Sequence, residues 1–171
     1  MLNPSLEPVL SEVEKTQDDK AQITTMASLK KFLKSKDYIK IPLTFTETNH
    51  FELVATINGV TGKFILDTGA SNTCVGMDKI DFFEMASEAT DIKAAGAGAT
   101  EMETLISNKN KIQIGDWKKK KLKVVLFDLT HVNQALVAHN ALPVDGIIGA
   151  DVLKKGKAVI DYNKKCLYLK K

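Results

Sequence analysis

A single carboxylate at the end of an apolar strand constrains this chain more than any other feature. It stands in Phe64-Ile65-Leu66-Asp67-Thr68-Gly69-Ala70-Ser71, where apolar residues run into Asp67 and then into a turn of small residues. A carboxylate leaving a buried strand is costly unless it is paired or hydrogen-bonded. Two readings meet that requirement. Asp67 caps its own turn, as Asx-type turns do, or it is a catalytic acid held close to a second carboxylate. Upstream, His50–Ile57 and Val60–Leu66 flank Asn58-Gly59, a pair that tolerates positive φ and predicts a tight β-hairpin.

The chain carries a second motif at Val144-Asp145-Gly146-Ile147-Ile148-Gly149-Ala150-Asp151-Val152-Leu153, where β-branched residues meet a Gly ahead of a short helix. Together, Asp-Thr-Gly-Ala-Ser and Ile-Ile-Gly-Ala-Asp-Val-Leu resemble the retropepsin-like aspartic proteases, the single-lobed relatives of pepsin. The match is nearest to their bacterial retroviral-type, gag-polyprotein-like members. It covers residues 39–171, which the resemblance makes a protease domain, and leaves 1–38 as an N-terminal extension. The implied fold is mostly β: a closed barrel with a flap hairpin and short helices, preceded by a helical N-terminal arm.

Peptide hydrolysis by water needs a base to activate the water and an acid to protonate the carbonyl oxygen. Two carboxylates about 3 Å apart do both, because charges that close cannot both ionise and the pair shares one proton. This chain holds one Asp-Thr-Gly turn. Asp145-Gly146 lacks the Thr and precedes the strand that the family uses for support. The expected site is therefore Asp67 with Asp67 of a second copy across a two-fold axis, in a homodimer.

The resemblance implies the remaining roles. Thr68 reaches across the axis to lock the two turns together, and Gly69 lets the backbones approach closely. Gly96, Ala97, Gly98 and Ala99 form the flap tip that closes over bound peptide, although the same residues suit a plain hairpin. Ile147, Ile148 and Gly149 support the active-site turn from below. The implied activity is that of an aspartic endopeptidase acting on a peptide or protein substrate. The alternative is a catalytically idle module of the same fold, kept for dimerisation or peptide binding. Ser71 and Ala150 stand where retroviral relatives carry an Asp and an Arg that pair near the interface. The dimer contact is then expected from the C-terminal strand Cys166–Lys171 or from the N-terminal arm. Ala70 lacks the hydroxyl that pepsin-like enzymes use here, which implies an optimum less acidic than theirs.

Composition narrows the alternatives. A chain of 171 residues, 44% hydrophobic and 26% charged, suits one globular domain plus an extension. A net charge of +3 is too small to argue for a nucleic-acid partner. No apolar run reaches the length of a membrane span, and no basic-then-apolar leader opens the chain. The expected location is cytoplasmic if the chain is whole, and periplasmic or secreted if a leader has been removed. Cys74 and Cys166 read as two buried thiols, with a single disulfide between them as the alternative. The histidines (His50, His131, His139) form no ligand set, so neither a metal nor another cofactor is expected.

Periodicity completes the reading. Leu6, Val9, Leu10 and Val13, and later Ile23, Met26, Ala27, Leu29 and Leu33, follow helical spacing. That arm reads as a packing or dimerisation element, or as a removable prosegment that blocks the cleft. Asp78–Glu88 is expected to be a short helix, Thr130–Asn140 a short helix or lid segment, and Lys118–Lys121 a solvated loop.

Overall fold

The computed structural model describes residues 29–90, 94–96 and 99–171, so most of the expected N-terminal arm lies outside the described residues. Residues 29–35 form a helix, α1, and the chain divides after Asp37. The second unit, Tyr38–Lys171, holds the β-structure.

Its core is a barrel of β3 (Phe51–Ile57), β4 (Val60–Leu66), β11 (Gly146–Ile148), β5 (Cys74–Gly76), β10 (Trp117–Phe127) and β9 (Leu105–Ile114), paired in that order. The circle closes where β9 returns to β3, through Thr56 with Gln113 and Ile57 with Ile112. Closure removes the exposed strand edges that an open sheet would leave. Ile57, Phe64, Val75, Ile112, Leu126 and Ile148 fill the interior.

Local chemistry explains the first hairpin. Asn58 and Gly59 both take positive φ, 52° and 94°, as a two-residue turn between right-twisted strands requires. The Asn58 side chain also ties this tip to the rest of the barrel. Its Oδ1 accepts the Lys111 amide at 2.9 Å, and its Nδ2 donates to Phe83 O at 3.0 Å.

The apolar run Phe64-Ile65-Leu66 is continuous because β4 is covered on both faces. Phe64 and Leu66 point into the barrel, while Ile65 packs outside with Leu136 and Val144. Leu136 belongs to helix α2 (Thr130–Ala138), as expected for that stretch. Asn133 on this helix grips Val144 twice, donating to its carbonyl at 3.1 Å and accepting from its amide at 2.9 Å.

Two expectations need correction. Asp78–Glu88 forms no regular helix. A 3-10 turn at Met77–Lys79 gives way to irregular turns and to Glu84 at φ 51°, because Phe83 is drawn into the core against Phe64, with ring centroids 6.0 Å apart. Lys118–Lys121 lies within β10 rather than in a loop. Its side chains are exposed as expected, but buried Trp117 and Leu122 anchor both ends and a bulge absorbs the irregularity. The C-terminal strand β13 (Cys166–Lys170) is the middle of a separate sheet, between β1 (Tyr38–Pro42) and β12 (Val159–Asp161). It has a neighbour on each side.

The short strands are β2 (Thr44–Phe45) and β6 (Glu88–Ala89), at the ends of the large sheet. β7 (Ala94–Gly96) and β8 (Ala99–Met102) form a two-stranded ribbon in which Gly96 faces Ala99. Ala97 and Gly98, the other two residues of the expected flap tip, lie outside the described residues. Cys74 and Cys166 are free thiols. Among the described residues, no helix is long and apolar enough to cross a membrane.

Candidate active site

Asp67 leaves β4 where three strands meet. β11 runs parallel to β4, with Ile147 beside Ile65 and Ile148 beside Leu66. On its other side β11 lies antiparallel to β5, with Ile147 beside Cys74. The segment from Asp67 to Thr73 joins β4 to β5 and therefore arches over the end of β11. Its backbone rests on that end: the Asp67 amide donates to Ile148 O at 3.1 Å, and the Ala150 amide donates to Ala70 O at 2.7 Å.

Gly149 sits directly beneath the arch. A Cβ added there would lie 2.5 Å from the Asn72 carbonyl carbon and oxygen and 2.9 Å from Ala70 O, all backbone atoms. Only glycine leaves room for the turn to settle on β11. Ile148 is fully buried below it and Ile147 is half-buried, so this pair packs rather than reacts.

The arch is braced from the far side by Asp151, in helix α3 (Ala150–Lys155). Its Oδ1 accepts the Thr73 amide and the Thr73 hydroxyl, both at 2.8 Å. The same hydroxyl oxygen accepts the Gly149 amide at 3.2 Å. Sequence reasoning missed this Thr73–Asp151 pair. Its signal is an acid in the first turn of a helix that opens immediately after the Ile-Ile-Gly strand.

Asp67 caps its own turn. Its Oδ1 accepts the Gly69 amide at 2.7 Å, an Asx-type cap, yet the residue remains exposed. Among the described residues, no other group bonds its carboxylate. Thr68 and Gly69 are exposed beside it. Asp145 is placed differently. Its Oδ2 accepts the Lys63 amide at 2.9 Å, and its Oδ1 faces Lys79 Nζ at 3.4 Å. It clasps the start of β11 to β4, four residues back from Asp67.

Cys74 borders the same site and donates its thiol to Asn72 O at 3.2 Å. Burial, reinforced by the negative charges of Asp151 and Asp67, pushes this thiol up to about 12, so it stays protonated and is a poor nucleophile at neutral pH. An open pocket of about 340 Å³ is lined by Thr68, Ala150, Leu153, Lys154, Lys157, Ala158 and Ile160. Among the described residues, no three His, Cys, Asp or Glu side chains converge as metal ligands would.

Comparisons with known proteins agree with this architecture. Residues 53–152 match a family model described as aspartyl protease, which spans more than half of the chain. No curated protein sequence matches significantly. Among solved structures, a retropepsin-like aspartic protease from Rickettsia conorii aligns with a TM-score of 0.54 at 22% identity, covering 77% of this chain and 90% of that one. The EIAV protease, solved with the inhibitor HBY-793, aligns at 0.48 and 18% identity, covering 65% of this chain and 91% of its own. The retroviral protease-like domain of Ddi1 from Leishmania major aligns at 0.46 and 19% identity, covering 69% and 86%. The matched span takes in Asp67–Ser71 and all but the last residue of the second motif, and the chain belongs to the aspartyl protease family and has the retropepsin-like fold.

Proposed function

We propose that the chain is an aspartic endopeptidase working as a homodimer, in which Asp67 from each copy forms one catalytic pair. A single observation carries this reading. Asp67 faces solvent with one amide on its carboxylate, while the neighbouring acids are committed, Asp151 to Thr73 and Asp145 to Lys63 and Lys79. The second carboxylate that the chemistry needs is supplied by the other copy.

In the assembled site the two carboxylates share one proton. The ionised partner takes a proton from the attacking water as the protonated one donates to the carbonyl oxygen, and a second transfer releases the amine. Gly69 admits substrate and partner backbone, and Thr68 meets the opposite turn across the axis. Gly96 to Ala99 close over an extended peptide. Ile147, Ile148 and Gly149 keep the turn at a fixed height, with Thr73 and Asp151 behind it. Residues 39–171 form the catalytic unit, and 1–38 are an extension of it.

The decisive experiment is cleavage of a peptide library by the wild-type chain and by Asp67→Asn. General acid–base chemistry of this kind contributes roughly 10²- to 10⁴-fold, so the variant loses all detectable turnover while keeping its fold. Cleavage that survives the substitution contradicts the proposal. Peptide binding without cleavage by the wild type favours the idle module.

A further inference from the structure

We propose that the lysine-rich end of the β9–β10 hairpin is a docking face for an anionic lipid surface, which holds the barrel by the end opposite Asp67. This goes beyond the catalytic reading and does not depend on it.

The charge on this hairpin is one-sided. Lys109, Lys111, Lys118–Lys121 and Lys123 are all exposed. In the same span they meet a single acid, Asp116, whose carboxylate lies 3.9 Å from Lys171 Nζ. The whole chain carries only +3, so these seven lysines concentrate locally what the composition averages away. Among the described residues, ion pairs form at Lys63, Lys79 and Lys171 and at none of these seven. The backbone beneath them is fixed. Buried Trp117 and Leu122 bracket the run, and Lys119 Nζ lies 5.8 Å over the Trp117 ring. Lys111 exchanges two hydrogen bonds with Asn58, both at 2.9 Å. Their place in the barrel leaves the active site clear. Ile112 pairs with Ile57 beside the Asn58-Gly59 tip, and from there β4 runs away to Asp67. The distance from Val60 to Asp67 is about 23 Å at ~3.3 Å per residue.

The chemistry of the face selects its occupant. From Trp117 to Lys123, β10 has only β9 beside it among the described residues, since β5 pairs no earlier than Val125. Lysines on such an edge keep an incoming strand away. None of the exposed large apolar side chains belongs to residues 105–127, so a protein partner finds no anchor to bury there. The chain has no arginine, and the hairpin's aromatic side chains, Trp117 and Phe127, are buried. Nothing on this face therefore offers the bidentate contacts or the stacking platform with which proteins grip nucleic acids. What it does offer is a dense array of point charges on long stems. That array suits a surface of negative charges free to rearrange beneath it, as anionic lipid headgroups are. Each lysine brought close to such a surface strengthens binding roughly fivefold, and the attraction fades over one Debye length.

The test uses the full chain and vesicles of phosphatidylcholine mixed equally with phosphatidylglycerol, read by cosedimentation. Wild type should bind these vesicles and not pure phosphatidylcholine. Binding should be lost on raising salt from about 0.1 M to 1 M, as the Debye length shrinks from about 10 Å to about 3 Å. Lys118→Gln, Lys119→Gln, Lys120→Gln and Lys121→Gln, combined, should weaken partitioning at least about 100-fold with the melting temperature unchanged. The same loss of charge elsewhere, through Lys154→Gln, Lys155→Gln, Lys164→Gln and Lys165→Gln, should weaken it less than about tenfold. Asp67→Asn should bind vesicles like wild type, so a failure of the catalytic reading leaves this result untouched. Failure to bind the anionic vesicles overturns the docking face, as does binding that the hairpin variant retains or that both variants lose alike. Release of the bound protein by duplex DNA at equal phosphate concentration also overturns it, and gives the hairpin to a nucleic acid.

Discussion

Thr73 and Asp151 brace the turn that carries Asp67. One carboxylate oxygen takes both the amide and the hydroxyl of a fully buried threonine, at 2.8 Å each. Asp151→Ala leaves those two donors without an acceptor in the protein interior. A loss of about 2–3 kcal/mol in unfolding free energy is expected, measured by urea denaturation. Asp151→Asn keeps one acceptor oxygen and should lose about half as much. Cleavage should fall in both, because the Thr73 hydroxyl also receives the Gly149 amide.

Gly149 offers a sharper steric test. Its hypothetical Cβ meets backbone atoms of Asn72 and Ala70, which cannot swing aside as a side-chain tip would. Gly149→Ala must lift the turn from β11. The expected cost is about 3 kcal/mol from overpacking, together with loss of turnover, since the Asp67 amide no longer reaches Ile148 O. Near-wild-type cleavage and melting temperature in this variant would show that the turn tolerates displacement.

The roles proposed for Asp145 and Asp67 are separable by experiment. Asp145 binds Lys63 N and Lys79, about 13 Å along the strand from Asp67 at ~3.3 Å per residue. Asp145→Ala should therefore lower stability by about 1–3 kcal/mol and leave kcat within about twofold of wild type when assayed well below the melting temperature. Asp67→Asn should do the reverse. A collapse of kcat in a folded Asp145→Ala variant would reassign the second acid to this copy.

Cys74 reports the charge at the site. Burial first, then Asp151 and Asp67, raise its thiol from an ordinary 9.0 to about 12. A folded-state value above the unfolded one means that the native state holds this proton more tightly. The associated stability is complete below about pH 9 and is lost as pH rises toward 12. At pH 7.5 the thiolate fraction falls about 10³-fold and the higher basicity recovers part of the rate, so iodoacetamide should alkylate Cys74 at least about 30-fold more slowly than free cysteine. Asp67→Asn removes one of the raising charges and should speed the reaction. An equal rate in the two proteins would place the Asp67 charge out of reach of the thiol.

Interactions that span only a few residues are legible in the amino-acid sequence. Asn58-Gly59 specifies its own turn, Asp67 and Gly69 form their cap two residues apart, and the spacing in Thr130–Ala138 suffices for a helix. Pairing between distant segments is not legible there. Thr73 and Asp151 are 78 positions apart, and nothing near either residue announces the other. Lys118–Lys121 reads as a loop by charge, yet becomes strand because buried residues on both flanks are already committed to the barrel. β13 also takes β1 as a neighbour, and nothing near either strand announces that pairing. The amino-acid order settles short-range geometry because steric and hydrogen-bonding preferences act between near neighbours. Which strand lies beside which is decided only when the barrel closes, since many distant apolar residues must then be buried at once.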